Sequence, residues 1–152
     1  MTHRLSNAVA LASSVLIASC NSPLGPREIV SDSVQVVARA APTVVSPGDS
    51  LAIIATYHNR LQRPINLSFG MGCPFYLSVI HRGSGSVVRL DGSGYACVAM
   101  GRGIMVPAAD SVLTTVHIVA RVGHTPISRG SYAARLDFTN GIWDLEAPFV
   151  VE

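Results

Sequence analysis

The sequence predicts an all-β protein, an immunoglobulin-like antiparallel β-sandwich of about 7 to 9 strands, preceded by a cleaved signal peptide and a flexible tether. Two observations support the sandwich. From Ser33 onward, apolar and polar residues alternate with a period of two in short runs, and Gly, Pro, Asn and Asp separate these runs. Turn signals recur about every 8 to 12 residues with no helical period between them, which is typical of a sandwich.

The individual runs give the order of the strands. Residues 51–58 carry apolar side chains on both faces, which favours a central strand. Residues 132–138 alternate apolar residues with Ala133, Arg135 and Asp137, as in a half-buried strand. Residues 75–81 and 87–90 are predicted to form a hairpin over residues 83–86. The candidate strands are 34–40, 51–58, 65–69, 75–81, 87–90, 95–100, 112–122, 132–138 and 145–151.

A local motif supports the immunoglobulin-like assignment. Residues 128–134, Ser-Arg-Gly-Ser-Tyr-Ala-Ala, resemble the tyrosine corner, in which a tyrosine near a strand start returns its hydroxyl to the backbone a few residues upstream. The alternative is an ordinary half-buried tyrosine held by packing. Ala134 stands where antibody domains have a cysteine, so the immunoglobulin disulfide is not expected.

Composition limits the classes of partner. The chain is 49% hydrophobic and 13% charged, which is sufficient apolar material for a buried core. All eleven basic residues are arginine, and without Arg4 in the leader the balance is ten basic to nine acidic residues. Such a balance offers no basic stripe, so no nucleic-acid partner is predicted.

The N-terminal segment predicts export and a lipid anchor. The apolar segment 8–18 is too short to span a bilayer core of about 30 Å, so residues 1–19 are interpreted as a signal peptide. Leu-Ile-Ala-Ser-Cys at 16–20 resembles the lipobox of bacterial lipoproteins, which implies cleavage before Cys20 and acyl chains on it. The residue after the cysteine is Asn21 rather than aspartate, which implies the outer membrane in a host that has one. An ordinary secretory leader is the alternative.

Cysteine counting then leaves one pair. If Cys20 carries lipid, Cys73 and Cys97 remain, and an exported pair normally closes as a disulfide. Its loop of about 25 residues would contribute roughly 3 to 4 kcal/mol to the free energy of unfolding.

No catalytic residue, metal site or cofactor is predicted, and the protein is not expected to be an enzyme. No Gly-x-Ser-x-Gly motif occurs, and Asp137, Asp144 and Glu146 are interpreted as charges on a solvated sheet edge. Imidazole and thioether groups could bind copper, so a metal or small-ligand carrier remains an alternative function. Its candidate ligands, which lack a recognised ligand spacing, are His58, His81, His117, His124, Met71, Met100 and Met105.

Several stretches resemble a known family. They are Pro-Gly-Asp-Ser at 47–50, Asn59 at a strand end, Arg-Pro-Ile-Asn-Leu-Ser-Phe at 63–69, the aromatic strand 75–80, Pro107 before a long strand, and Gly-Ser-Tyr at 130–132. This set, within residues 46–139, is similar to the intracellular proteinase inhibitor (BsuPI-like) family. The resemblance implies an immunoglobulin-like sandwich and proteinase inhibition. The chain departs from the family by its two cysteines and by its export signal.

These observations divide the chain into a signal peptide (1–19), a lipidated cysteine with a tether (20–32) and a sandwich domain (33–152). The expected function is an envelope-anchored module that binds an unknown protein, with a proteinase as the narrower expectation. A passive structural module is a further alternative. The loops 70–74 and 92–95, joined by the disulfide, are expected to make the contact. The candidate contact residues are Met71, Pro74, Tyr95 and Arg102.

Overall fold

A computed structural model describes residues 28–69, 73–96, 103–138 and 144–152. These ranges contain fourteen strands. Strands of two to four residues raise this number above the predicted seven to nine. The strands are β1 (Glu28–Val30), β2 (Val34–Ala41), β3 (Val44–Val45), β4 (Ser50–Asn59), β5 (Ile65–Ser68), β6 (Phe75–His81), β7 (Val87–Val88), β8 (Gly94–Ala96), β9 (Gly103–Val106), β10 (Ser111–Val119), β11 (Arg121–Val122), β12 (Thr125–Pro126), β13 (Gly130–Phe138) and β14 (Asp144–Val151).

Two main sheets face each other, which confirms the predicted all-β sandwich. Sheet A has the order β1-β2-β4-β10, and sheet B has the order β3-β14-β13-β6-β7, with β8 also paired to β6. The pairs are antiparallel except for β3, which runs parallel to β14. The pairs β5–β9 and β11–β12 form two smaller sheets.

Strand β4 lies at the centre of sheet A, between β2 and β10, as its two apolar faces predicted. Its residues alternate strictly, and Leu51, Ile53, Ala55 and Tyr57 point into the sandwich and are buried. Strand β10 lies at the end of this sheet, and its inward residues Val112, Thr114 and Val116 are only half-buried. Sheet A is therefore well covered at its centre and more open along β10.

Strand β13 lies at the centre of sheet B, between β14 and β6. The predicted hairpin is confirmed, since Val79 pairs with Val88 and Ile80 with Val87. Aromatic rings from both sheets meet in the core between them. The Tyr57 and Phe138 rings meet edge to face, with centroids 6.3 Å apart, and Phe138 also contacts Phe75 at 5.5 Å.

The tyrosine corner is confirmed. Tyr132 is 2% exposed, near the start of β13, and its hydroxyl donates a 2.8 Å hydrogen bond to the Ser128 carbonyl oxygen. The ring stacks on Phe149 at 5.6 Å and meets the edge of His81 at 5.0 Å. This corner fixes the path of the chain into the central strand of sheet B.

The sandwich begins earlier than predicted, which corrects the tether boundary at residue 32. Residues 28–30 form β1 and pair with β2 in the register Glu28 to Val37. A strand of three residues is too short to show a period of two in the sequence. It is identified in the structure by its pairing with β2. The run predicted as 112–122 also divides, since β10 ends at Val119. The signal peptide and Cys20 lie outside the described residues, and within those residues no helix is long and apolar enough to cross a membrane.

Candidate functional site

The described parts of the two loops predicted to make contacts lie along one edge of sheet B. Strand β8 pairs with the first half of β6, so that Phe75 lies opposite Ala96 and Leu77 opposite Gly94. Cys73 and Pro74, the described residues of the first loop, come directly before β6. The second loop ends in β8, which pairs with β6. We call these paired strands, with residues 73–77 and 92–96, the β6–β8 edge.

Of the four predicted contact residues, two lie in the described part of the chain, and they differ in their surroundings. Pro74 is buried, so its ring is not available to a partner, and its assignment as a contact is corrected. Cys73 and Phe75 on either side of it are buried as well, so the chain lies below the surface where it enters β6. The backbone of Tyr95 pairs with Tyr76 in the β6–β8 edge. Met71 and Arg102 lie outside the described residues.

Cys73 is disulfide-bonded and 6% exposed. Its partner lies outside the described residues, so the pairing with Cys97 stays a prediction. The pairing of β6 with β8 ends at Phe75 and Ala96, which are close in sequence to the two cysteines.

Residues 89–93, which we call the clasp, connect sheet B to sheet A beside the candidate loops. Leu90 is 2% exposed in the core, while the backbone of Asp91 bridges to the end of β10. The Val119 N–H donates to the Asp91 carbonyl oxygen at 2.9 Å, and the Asp91 N–H donates to the Arg121 carbonyl oxygen at 3.0 Å. The start of loop 92–95 is thereby fixed to the opposite sheet.

The Asp91 carboxylate adds two further hydrogen bonds. It accepts from the Gly123 N–H at 2.9 Å and from Arg121 Nε at 2.8 Å. The Gly123 N–H, followed by Arg121, lowers the pKa of Asp91, because both favour the charged carboxylate. The sequence did not predict this role, because the groups that the Asp91 carboxylate contacts lie 30 and 32 positions later in the chain.

Gly92 is required in the clasp for two reasons. Its φ of +87° is a backbone conformation that favours glycine. A Cβ added at this position would clash with the carbonyl oxygen of His117 in β10. The close approach of the clasp to β10 therefore depends on a residue without a side chain.

Asn59 anchors the opposite end of sheet A and is 4% exposed. Its amide nitrogen donates to the carbonyl oxygens of Arg63, Val106 and Pro107 at 2.8, 3.2 and 2.8 Å, and its Oδ1 accepts from the Leu61 N–H at 2.9 Å. These bonds hold the β4–β5 connection against the end of β9. Asn59 therefore has a structural role.

The histidines of the alternative metal hypothesis occupy different parts of the fold. His58 lies opposite Ser111 at one end of sheet A, and His117 lies opposite Ala52 at the other. The Nδ1 of His81 contacts the hydroxyl of Ser84 at 3.0 Å, and His124 follows β11. In the described part of the chain, no three His, Cys, Asp or Glu side chains are placed to hold a metal ion, and no pocket is found there.

Of the acidic residues interpreted as a sheet edge, Asp137 lies on the central strand β13, which corrects its assignment. Asp144 and Glu146 lie on β14 outside the residues that pair with β3, where no described strand covers their outer side. Asp137 and Asp144 lie opposite each other on the neighbouring strands β13 and β14. Arg135 bridges them, with Nε 2.7 Å from Asp137 and Nη2 2.9 Å from Asp144. Burial raises the pKa of Asp137 despite the Arg135 charge. These residues form a paired charge network on the outer face of the sheet.

Comparison with known proteins gives distant structural likenesses. No family model matches the chain, and no curated protein matches its sequence. The alkylpurine DNA glycosylase AlkC of Pseudomonas fluorescens, bound to DNA, aligns over 81% of this chain and 31% of its own length, with 13% identity and a TM-score of 0.48. The cupredoxin domain of amoB from Nitrosocaldus yellowstonii aligns over 80% and 88%, with 11% identity and a TM-score of 0.40.

The structural genomics target SoR45 aligns over 81% of this chain and 88% of its own, with 11% identity and a TM-score of 0.43. All three TM-scores lie below 0.5, so none of these likenesses bears on family or function. The chain spans about a third of the glycosylase's length.

Proposed function

We propose that this protein is an extracytoplasmic lipoprotein, anchored through lipid on Cys20, whose immunoglobulin-like sandwich binds another protein at the β6–β8 edge. The observation that supports the proposal is the pairing of β8 with β6, because it places Tyr95 of the second loop opposite Tyr76, two residues after Pro74 of the first. Inhibition of a proteinase is the narrower form of the proposal. It follows from the resemblance to the intracellular proteinase inhibitor family.

The surroundings of this edge favour a preorganised contact surface. Cys73 restrains one loop through its disulfide, and the four hydrogen bonds of Asp91 restrain the other. Loops that are rigid before binding lose less conformational entropy when a partner docks. Tyr95 and Arg102 are of the residue types that most often dominate binding energy in protein interfaces.

A titration with detergent-solubilised envelope proteins tests the binding site. We expect saturable capture of one partner by the full chain, and a loss of at least tenfold in apparent affinity on Arg102→Ala. Arg129→Ala is the matched control, because Arg129 is exposed beside the tyrosine corner, at the opposite end of sheet B. Equal affinity of both variants would contradict the proposed site, and repeated absence of any saturable partner would support a passive structural role.

Membrane fractionation tests the anchor separately. We expect the wild-type chain in the membrane fraction and Cys20→Ser as unprocessed or released protein, because the acyl chains supply the membrane affinity. Identical fractionation of the two proteins would contradict lipidation at Cys20. A proteinase assay with the solubilised wild-type chain tests the narrower form, and absence of inhibition over a panel of envelope proteinases would reject it.

A further inference from the structure

The outer edge of β10 carries main-chain groups without partners among the described residues. The Asp110 carbonyl oxygen accepts from the Asn59 N–H of β4, whereas the Val119 N–H donates to Asp91, away from β4. Because successive residues of a strand direct their main-chain groups to opposite sides, Ser111, Leu113 and Thr115 direct theirs away from β4. Within the described part of the chain, no other strand pairs with this edge of β10.

The edge also lacks the features that usually prevent strands from pairing. The segment Ser111–Val119 reads SVLTTVHIV, without proline, lysine, arginine or acidic residues. Its nine residues pair with β4 in one uninterrupted register, without a bulge. Natural edge strands are normally shortened, bulged or charged, and an unprotected edge is a template for another strand.

We propose that β10 pairs with β10 of a second copy of this chain, antiparallel and centred on Leu113, to give a symmetric dimer. In this register Leu113 lies opposite Leu113 of the partner subunit, and Ser111 lies opposite Thr115 of the partner subunit. The outward groups of these residues supply about six main-chain hydrogen bonds. The facing side chains are apolar with apolar and hydroxyl with hydroxyl, so the strand complements itself without like-charge contacts.

The clasp selects this register. Asp91 already occupies the Val119 N–H, and Gly92 lies against the His117 carbonyl oxygen. A register centred on Thr115 would require those occupied groups. A register centred on Leu113 uses only main-chain groups that have no partner in the described ranges. Self-pairing is distinct from partner capture at the β6–β8 edge, because it uses sheet A rather than sheet B.

Three substitutions test the dimer. Leu113→Arg places like charges opposite each other at the centre of the pairing. Met105→Arg is its matched control, since Met105 and Leu113 are both 61% exposed and Met105 lies on β9. Thr115→Pro removes an outward N–H without removing a bond to β4, a change that edge strands tolerate.

Sedimentation velocity of the full chain in detergent, over a concentration series, measures the effect. Wild type and Met105→Arg should shift from monomer to dimer, while Leu113→Arg and Thr115→Pro stay monomeric at the highest concentration. Circular dichroism shows whether each variant is folded. If either Leu113→Arg or Thr115→Pro fails to fold, the result for the other one tests the dimer. A monomeric wild type, or dimers that persist in folded Leu113→Arg, would overturn the proposal.

Cysteine cross-linking tests the register independently. Antiparallel hydrogen-bonded pairs have Cα atoms about 5.5 Å apart, within the range that a disulfide bridges. Leu113→Cys should therefore give a covalent dimer on mild oxidation, at least tenfold more than Met105→Cys. Equal cross-linking of the two variants would exclude the Leu113-centred register.

Discussion

Two buried tyrosines, one in each sheet, have opposite polar environments. Tyr132 of sheet B donates its hydroxyl to the carbonyl oxygen of Ser128. Tyr57 of sheet A is fully buried, and its hydroxyl has no hydrogen-bond partner among the described residues. Burial raises the pKa of Tyr57, and the nearby Thr114 hydroxyl lowers it by a smaller amount, although the two hydroxyls do not reach hydrogen-bond geometry. The comparison shows that similar aromatic burial can occur with a satisfied or an unsatisfied polar group.

The difference also shows which polar contacts can be read from a sequence. The acceptor for Tyr132 lies four residues upstream, so a local motif predicts it. The surroundings of Tyr57 come from distant parts of the chain, including Phe69, Phe138 and Thr114. No spacing rule connects such residues before the fold is known.

The polar anchor of the Tyr57 region is Asn59, and its removal should have the largest effect. Asn59→Ala should lower the free energy of unfolding by about 3 kcal/mol, because several buried main-chain groups lose their partner. The exposed Asn66 of β5 provides the control, and Asn66→Ala should change stability by less than about 0.5 kcal/mol. Chemical denaturation measures both, and equal effects would show that the bonds of Asn59 contribute little.

Removal of the two tyrosine hydroxyls tests the comparison itself. Tyr132→Phe should lower the free energy of unfolding by about 1 to 2 kcal/mol, because it removes a buried hydrogen bond. The same denaturation experiment measures this change. A neutral result would mean that ring packing against Phe149 and His81, and not the tyrosine corner, stabilises this region.

Tyr57→Phe should have little effect or increase the free energy of unfolding by up to about 1 kcal/mol. It removes a hydroxyl whose burial is not compensated by a hydrogen bond. Destabilisation as large as that of Tyr132→Phe would show that the Tyr57 hydroxyl has a partner in solution, and the contrast between the two sheets would be lost.

The pH dependence of the clasp should be the smallest effect. The pKa of Asp91 is lowered in the folded state, so its contribution is fully present above the unfolded value of about 3.9. That contribution is lost as the pH falls through the lower folded value. Thermal unfolding between neutral and acidic pH should therefore show a steeper loss of stability in wild type than in Asp91→Asn. Parallel curves would contradict a role for the Asp91 carboxylate.

For the contact residues, as for the two tyrosines, local patterns were predictable from the sequence and contacts between distant segments were not. The strand pattern predicted that β4 and β13 are central, because face polarity is a local property of each strand. The burial of Pro74 and the link from Asp91 to β10 were not predicted, because both depend on how the sheets meet. The adjacency of the two candidate loops was predicted only through the expected disulfide, and the pairing of Tyr95 with Tyr76 could not be predicted from either loop alone.

The proposed function requires a sandwich that is exported, lipidated on Cys20 and closed by a disulfide between Cys73 and Cys97. Mass spectrometry of the protein isolated from envelopes of its native host measures all three properties. We expect a mature chain that begins at Cys20 with the added mass of acyl chains, and a Cys73–Cys97 peptide that resists alkylation until reduction. An intact leader without acyl chains, together with a free Cys97 thiol, would contradict it.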